Sequence, residues 1–584
     1  MFGRTPTLVR PAAHRLVPFA ALLLLTACGS ETPSPESTDA SDPPATSPDT
    51  TSSSSDPAPA AERAALWTEV GETWGIDFVH RSGADGSLSF PEMMGGGVAL
   101  LDADEDGDLD LYFVSGEKNA LYTQQDGRFT DTTAASGLGD AGYGTGVAVG
   151  DVDNDGHEDV FVANIGADQL YKGRGDGTFE NATKKAGLKA ESDRNLDWST
   201  SSAFCDVDRD GWLDLYVVRY VVYDPTVECT DKTGRPEYCG PANYEDRFDR
   251  LWMNQGDGTF RDVSAKAGLQ EVTGAGLGVV CEDVDDDGWP DIYVANDGDP
   301  NQLWMNQKDG TFIDDALIMG SSVNASGLYE AGMGVVAADF DNDADFDLFI
   351  THLRDETNTF YRNLGSGIGF EDQTAQVGLA TESTPYTGFG TAPFDVDLDG
   401  DLDLVIANGR VTRGEALTDA LPGPWNPYGE PNLVYLNDKG RFTLAGDAAS
   451  AFTGPVEVSR GLAVGDLDGD GDLDLVVSNI ESPSRIYSTE ADGHWLRVDV
   501  VDPRYKRRAL GARVILEAAG ARQVRTVQGA MSYLSSSDPR AHFGLGATDA
   551  VDSVKVRWPD GLEETFPVPE IDREVVLVRG EGAS

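Results

Sequence analysis

Nine-residue stretches with one spacing of carboxylates recur along this chain: acid, any, acid, any, acid, glycine, any, any, acid. The first holds Asp102, Asp104, Asp106 and Asp110, and the second Asp151, Asp153, Asp155 and Asp159. The third holds Asp206, Asp208, Asp210 and Asp214, and the fourth Asp283, Asp285, Asp287 and Asp291. Asp395, Asp397, Asp399 and Asp403 make the sixth, and Asp466, Asp468, Asp470 and Asp474 the seventh. The fifth, with Asp339, Asp341, Asp343 and Asp347, carries Ala344 where the others have glycine. Three carboxylates at alternate positions of a tight turn share one space and repel one another unless a cation joins them. Ligation by oxygen alone, with several carboxylates, is the chemistry of calcium and not of zinc or copper. Glycine at position six permits the positive φ of a sharp turn, position seven offers a carbonyl, and the ninth acid is expected to close the shell. The twelfth-position Glu of an EF-hand is absent, so this is a shorter loop, set in a strand hairpin. The reading is seven structural calcium sites.

Each loop sits between two apolar runs, as Gly97-Val-Ala-Leu-Leu101 and Leu111-Tyr-Phe-Val114 flank the first. An alternating third run such as Arg250-Leu-Trp-Met253, a Gly-Asp-Gly turn and a fourth run follow. Four strands joined by tight turns make an antiparallel blade. A period of roughly 50 residues or more that carries strands reads as a propeller. The seventh unit lacks a fourth strand, and Ala65-Leu-Trp-Thr-Glu-Val70 is an orphan strand before the first. The expected fold is therefore all-β: a seven-bladed β-propeller over residues 63–490, closed by its own N-terminus, with a small β domain over residues 491–580.

Net charge is −58 over 584 residues, which excludes a nucleic-acid partner, since that needs a basic footprint. About a third of the 101 acids lie in the seven loops, whereas the stretch from His494 onward carries acids and bases in equal number. Such charge opposes compaction unless bound cation offsets it. Residues 1–27 read as an export signal, with Arg4, Arg10 and Arg15 before an apolar run too short to span a bilayer. The run ends Leu25-Thr26-Ala27-Cys28, similar to the bacterial lipobox, which implies lipidation of Cys28. With Gly29 and Ser30 following, the resemblance places the chain in the cell envelope, at the outer membrane of a Gram-negative cell. Residues 28–62 are a Ser/Thr/Pro-rich acidic tether without a core. Membrane contact is thus expected through the anchor alone. Cys229 and Cys239 flank a short polar loop and are expected to form a disulfide; Cys205 and Cys281 either pair across repeats or stay as free thiols.

These loops and their flanking strands resemble the FG-GAP/VCBS repeats of integrin-α-type propellers. Met94-Gly-Gly-Gly-Val-Ala99, Asn296-Asp-Gly-Asp-Pro-Asn301 and Arg460-Gly-Leu-Ala-Val-Gly-Asp466 are similar to the bacterial branch of the cartilage acidic protein 1 family. His494-Trp-Leu-Arg-Val498, Ala509-Leu-Gly-Ala-Arg-Val514, His542-Phe-Gly-Leu-Gly546 and Val551-Asp-Ser-Val-Lys-Val-Arg-Trp-Pro-Asp-Gly561 resemble the ASPIC/UnbV domain. The resemblance implies a calcium-binding propeller in surface-held or secreted proteins, with no defined enzymatic activity.

The acidic loops all join strands one and two, on one face of the ring. Two long insertions, residues 221–249 and 411–431, join strands two and three and so belong to the other. Insertions gathered on one face mark a binding face. Asn296, His352, Arg354, Asn408 and Arg410 are expected there, with Tyr143, Trp198, Tyr329, Tyr386 and Arg460 at the channel mouth. Aromatics beside Asn and Arg suit a carbohydrate or protein ligand. The expected function is a lipid-anchored calcium-binding module for adhesion or ligand binding, without catalysis. The alternative is an exported sugar-processing enzyme, a lyase or dehydratase, on the same ring. Its one constellation is His352 near Arg354 and Asp355, because the six histidines form no His-x-x-x-His metal motif.

Overall fold

The structure, a computed structural model, describes residues 64–140, 142–188, 197–420, 422–567 and 569–583. The expected signal, Cys28 and tether lie outside them. Seven four-stranded antiparallel arrays follow one another. Unit one shows the pattern: Val98–Leu101, Asp110–Phe113, Ala120–Gln125 and Arg128–Asp131 pair in that order. Its first two strands are buried along their whole length, as their apolar runs require of a sheet covered on both sides. A bridge between Trp198 and Ile165 joins units two and three into one nine-stranded sheet.

The first strand of each unit touches the first strand of the next. That of unit seven, Ser459–Gly465, returns to Val98–Leu101. The result is a propeller-like ring. Its closure falls where the sequence places it: Trp67–Glu69 is the outermost strand of unit seven, with Trp67 opposite Thr489 and Glu69 opposite Tyr487. Trp67 is buried against Phe394 and Phe452.

The C-terminal domain is two sheets over one core. His494–Asp502 pairs with Ala541–Gly546 and, in parallel, with Arg573–Val578. Arg513–Ala518 pairs with Ala521–Thr526 and Ser553–Arg557. Leu496, Val498, Leu516, Phe543, Val556 and Trp558 fill the space between them. This domain packs on the acidic-loop face. Its chain between residues 526 and 541 runs as a finger into the channel of the ring, where Tyr533 and Leu534 are 0 % and 1 % exposed. Gly97 has no side chain for this reason, since a Cβ there would lie 1.8 Å from the Leu534 carbonyl oxygen.

Both cysteine pairs are disulfides. Cys229–Cys239 spans 5.2 Å between Cα atoms and staples the first insertion. Cys205–Cys281, left open by the sequence, spans 6.5 Å and ties the innermost strands of units three and four.

Candidate metal centres

Each acidic loop is wound by its own carboxylates. The first acid accepts from the backbone N–H of position six in every loop, and of position five in units two to six: Asp151 from Asp155 at 3.2 Å and Gly156 at 2.9 Å, Asp395 from Asp399 at 2.9 Å and Gly400 at 2.7 Å. The fifth acid accepts from position seven, as Asp210 does from Trp212 at 2.9 Å. Position six has the positive φ expected of glycine, 96° at Gly107 and 108° at Gly156. Ala344 adopts it too, at 77°, in a region that L-residues enter only at a cost. Ala344→Gly is expected to stabilise the protein by about 1 kcal/mol, measured by denaturant unfolding in calcium.

The ninth acid does something other than expected. Its two oxygens tie the loop to strand three: Asp110 accepts from Gln124 N–H at 2.7 Å and from Ala103 N–H at 2.9 Å. Asp159, Asp214, Asp291, Asp403 and Asp474 repeat the pair of bonds. Of the metal ligands expected, positions one, three and five therefore carry the cluster in units one, three and five. In units two and four the ninth acid joins positions one and three, as Asp159 with Asp151 and Asp153, and Asp291 with Asp283 and Asp285.

The remaining oxygens test whether a cation fits. Asp104, Asp153, Asp208 and Asp341, all at position three, each hold a buried Oδ1 that accepts no hydrogen bond, as do Asp102 Oδ1 and Asp347 Oδ2. Buried acceptors without partners are costly, and their recurrence at one position shows a space left for something that is not backbone. Burial pushes the Asp102, Asp151, Asp206, Asp283 and Asp339 carboxyls up to about 6, and Asp395 to about 8. In units two and five Lys172 and Arg362 pair with the other oxygen of Asp153 and Asp341; the crowded, oxygen-only donor set with its unpartnered Oδ1 atoms fits a calcium-like ion.

Two features of this site carry no mark in the acid pattern. Position four is also left-handed in every loop, at Glu105, Asn154, Arg209, Asp286, Asn342, Leu398 and Gly469; the residue types share nothing that announces it. A buried asparagine ending strand three is the second. Asn306 Nδ2 donates to Val207 O at 2.9 Å and Pro290 O at 3.0 Å, bridging position two of the preceding loop to position eight of its own. Asn254, Asn363 and Asn437 do the same. The recurring Trp-Met-Asn, Tyr-Arg-Asn and Tyr-Leu-Asn triplets were the available signal.

The residues expected on the ligand face are corrected. Trp198, Asn296, His352, Asn408, Arg410 and Arg460 are buried. Trp198 meets Phe90 and Tyr220 edge-on inside an aromatic cluster. Asn296 and Asn408 cap turns, each donating at 2.8 Å to a proline carbonyl, Pro300 and Pro431. Arg410 pairs with Glu430 at 2.9 Å. Arg460 donates to the carbonyls of Met93, Gly409, Ser459 and Arg410 at 2.8–3.2 Å and lies over Phe389. Tyr143 and Tyr386 are half-buried, and only Tyr329 and Arg354 are exposed. The side-chain amides of Asn296 and Asn408 are spent on the turns that fold over them. His352 is 1 % exposed while Arg354 and Asp355 face solvent, so the constellation of the enzyme alternative is not assembled.

Burial lowers His80 and His352 to about 4. Around His80, Arg460 and Arg81 lower it further and Glu481 opposes them. Unfolded histidine takes a proton near 6.5. Between that pH and about 4 the unfolded chain therefore binds more protons, and stability falls as pH falls. Each histidine accounts for roughly 3 kcal/mol across the full window. The stability gap between the wild type and His352→Gln in calcium is expected to shrink by about 2 kcal/mol from pH 7 to pH 5, a difference that cancels the carboxylates common to both.

A propeller-like ring of four-stranded repeats, each opened by an acidic loop and capped by a C-terminal β domain, defines a class of repeat protein. The chain belongs to the FG-GAP-like repeat family, whose model matches residues 102–162, 151–217, 231–294, 283–350, 339–406 and 424–477. Residues 502–584 match the ASPIC and UnbV model. Cartilage acidic protein 1 of Xenopus tropicalis is 28% identical over 84% of this chain and 74% of its own length. That of Mus musculus is 29% identical over the same shares. Among solved structures, a lectin of Agrocybe aegerita is 15% identical with a TM-score of 0.37, covering 69% of this chain and 90% of that one.

Proposed function

We propose that this protein is an exported, lipid-anchored calcium-binding module that recognises a carbohydrate or protein ligand at the cell envelope. The observation that carries the calcium reading is the set of buried, unpartnered carboxylate oxygens repeated at position three of the loops. The residues that would hold calcium are the first, third and fifth acids in units one, three and five and the first, third and ninth in units two and four, with the corresponding loop acids of units six and seven. Bound calcium supplies charge neutralisation and cross-linking of the loop. The signal-like residues 1–27 and two disulfides support an exported, oxidising setting.

The ligand is assigned to the insertion face, since the C-terminal domain covers the loop face and its finger fills the channel. The two insertions pack together there through Tyr238, Trp425 and Tyr428. A groove beside them is lined by Trp425, Pro422, Pro424, Glu457 and Glu481. Calcium titration calorimetry of residues 63–584 reads the metal sites, and glycan and protein arrays with and without calcium read the ligand. No heat with calcium would sink the metal reading. Array binding unchanged on deleting residues 411–431 would sink the assignment of the face, and new reducing or unsaturated sugar ends would favour the enzyme alternative.

A further inference from the structure

The finger is held in the channel as a bound peptide would be, through main chain. Ser532 exchanges backbone bonds with Val335, its N–H donating at 2.8 Å and its carbonyl accepting at 3.2 Å. Leu534 O accepts from Val147 N–H, and Ser536 O from Leu100 N–H, both at 3.0 Å. The serine hydroxyls accept from further inward amides: Ser532 from Thr391 at 3.0 Å, Ser535 from Val98 and Ser537 from Val464, both at 3.2 Å. Tyr533 is the anchor. Its ring meets Phe389 edge-on at 4.9 Å and its hydroxyl donates to Met94 O at 3.0 Å. Inward amides from units one, two, five, six and seven thus converge on one short serine-rich loop, left-handed at Ser532 and Leu534 and closed by a bridge between Ala530 and Ser536, around a single aromatic.

What keeps the finger there is the docking of its domain, and that docking reads the loops. Arg507 donates to Gly211 O at 3.2 Å and to Asn154 Oδ1 at 2.9 Å. His542 Nε2 lies 2.8 Å from Gly471 O. Arg513 donates to Asp283 O and, at 3.0 Å, to Glu282; Arg497 pairs with buried Asp466. Gly211 and Gly471 are sixth residues, and Asn154 a fourth residue, so these acceptors stand where the loop backbone is left-handed. Their positions depend on the loops staying wound.

We infer that the channel is a binding site for a looped, serine-rich peptide with one central aromatic, occupied by the chain's own finger and vacated when the loops lose their cation. Without the cation the crowded carboxylates repel, the loop carbonyls move from under the arginines, and the domain unseats. The outer strands of each unit are laddered to one another, as Gln302–Asn306 is to Phe312–Asp314, and stay paired through those bonds. This rests on the calcium reading above.

The test uses the full chain without its first 27 residues, well below its melting midpoint, in calcium and in chelator. Hydrogen exchange of residues 530–538 is read together with binding of a fluorescent synthetic peptide of residues 528–540. Chelation is expected to speed finger exchange at least a hundredfold, leave third strands such as Gln302–Asn306 protected, and allow the peptide to bind. A Tyr533→Ala peptide is expected to bind at least tenfold more weakly. The double variant Arg507→Gln, Arg513→Gln is expected to admit the peptide in calcium, while calorimetry still finds the metal bound. A finger that stays protected in chelator, a peptide that binds neither the chelated protein nor the double variant, or global loss of protection overturns the inference. Absence of calcium heat would instead mark failure of the calcium reading, so the two are told apart.

Discussion

Moving the protein from millimolar calcium to a chelating buffer is expected to lower its melting midpoint by on the order of 10–20 °C. A site held at a hundredfold over its dissociation constant contributes about 2.7 kcal/mol. Seven such sites together exceed the whole stability of an ordinary domain, roughly 5–15 kcal/mol. The structure shows why the loss falls on folding. The first acid of each loop is the turn's internal acceptor, so repulsion among Asp151, Asp153 and Asp155 strains the bonds that wind the loop. Part of the offset is supplied by the chain itself: Arg497, Arg507 and Arg513 of the C-terminal domain stand among the loops. A midpoint in differential scanning calorimetry that does not move with chelator would remove calcium from the account.

Arg460→Met is expected to cost about 3–5 kcal/mol, the second large effect. Arg460 is 0 % exposed and its guanidinium donates to backbone carbonyls. Burial lowers it to about 10, so it stays a cation at neutral pH, held by four carbonyls and the face of Phe389. Removing it leaves those carbonyls without their donor, around the seat of Tyr533. Arg460→Lys is expected to recover little, since one ammonium cannot span acceptors from Met93 to Arg410. Denaturant unfolding in calcium checks both; a Lys variant as stable as wild type would show that charge, not the fork, is what matters.

The ring was legible because its signals are local. Acids at alternate positions, glycine at the sixth, and apolar runs on both sides are written within a few residues, and the orphan strand at Trp67 told where the ring closes. The ninth acid was legible as a residue but not as a role, since Asp110 is satisfied by Gln124, which arrives on another strand. Left-handed Arg209 and Leu398 have no type that marks them. The residues of the ligand face were misassigned for a physical reason: Asn296, Asn408 and Arg460 look available along the chain, and only turns and carbonyls distant in sequence consume their donors. The finger was invisible, because Ala-Met-Ser-Tyr-Leu-Ser-Ser-Ser reads as an ordinary loop until the channel is there to receive it.

The split seventh unit sets a timetable. Trp67–Glu69 is among the first of the fold's strands to be synthesised, and its partner Arg485–Thr489 follows roughly 420 residues later. At 5–20 residues per second that is a wait of roughly 20–80 s. The contact is also among the most distant in sequence that the ring makes, and such contacts form slowly. Until then an edge strand bearing a buried-type tryptophan has nothing to pair with, so the nascent chain is most vulnerable to mispairing at the end made first.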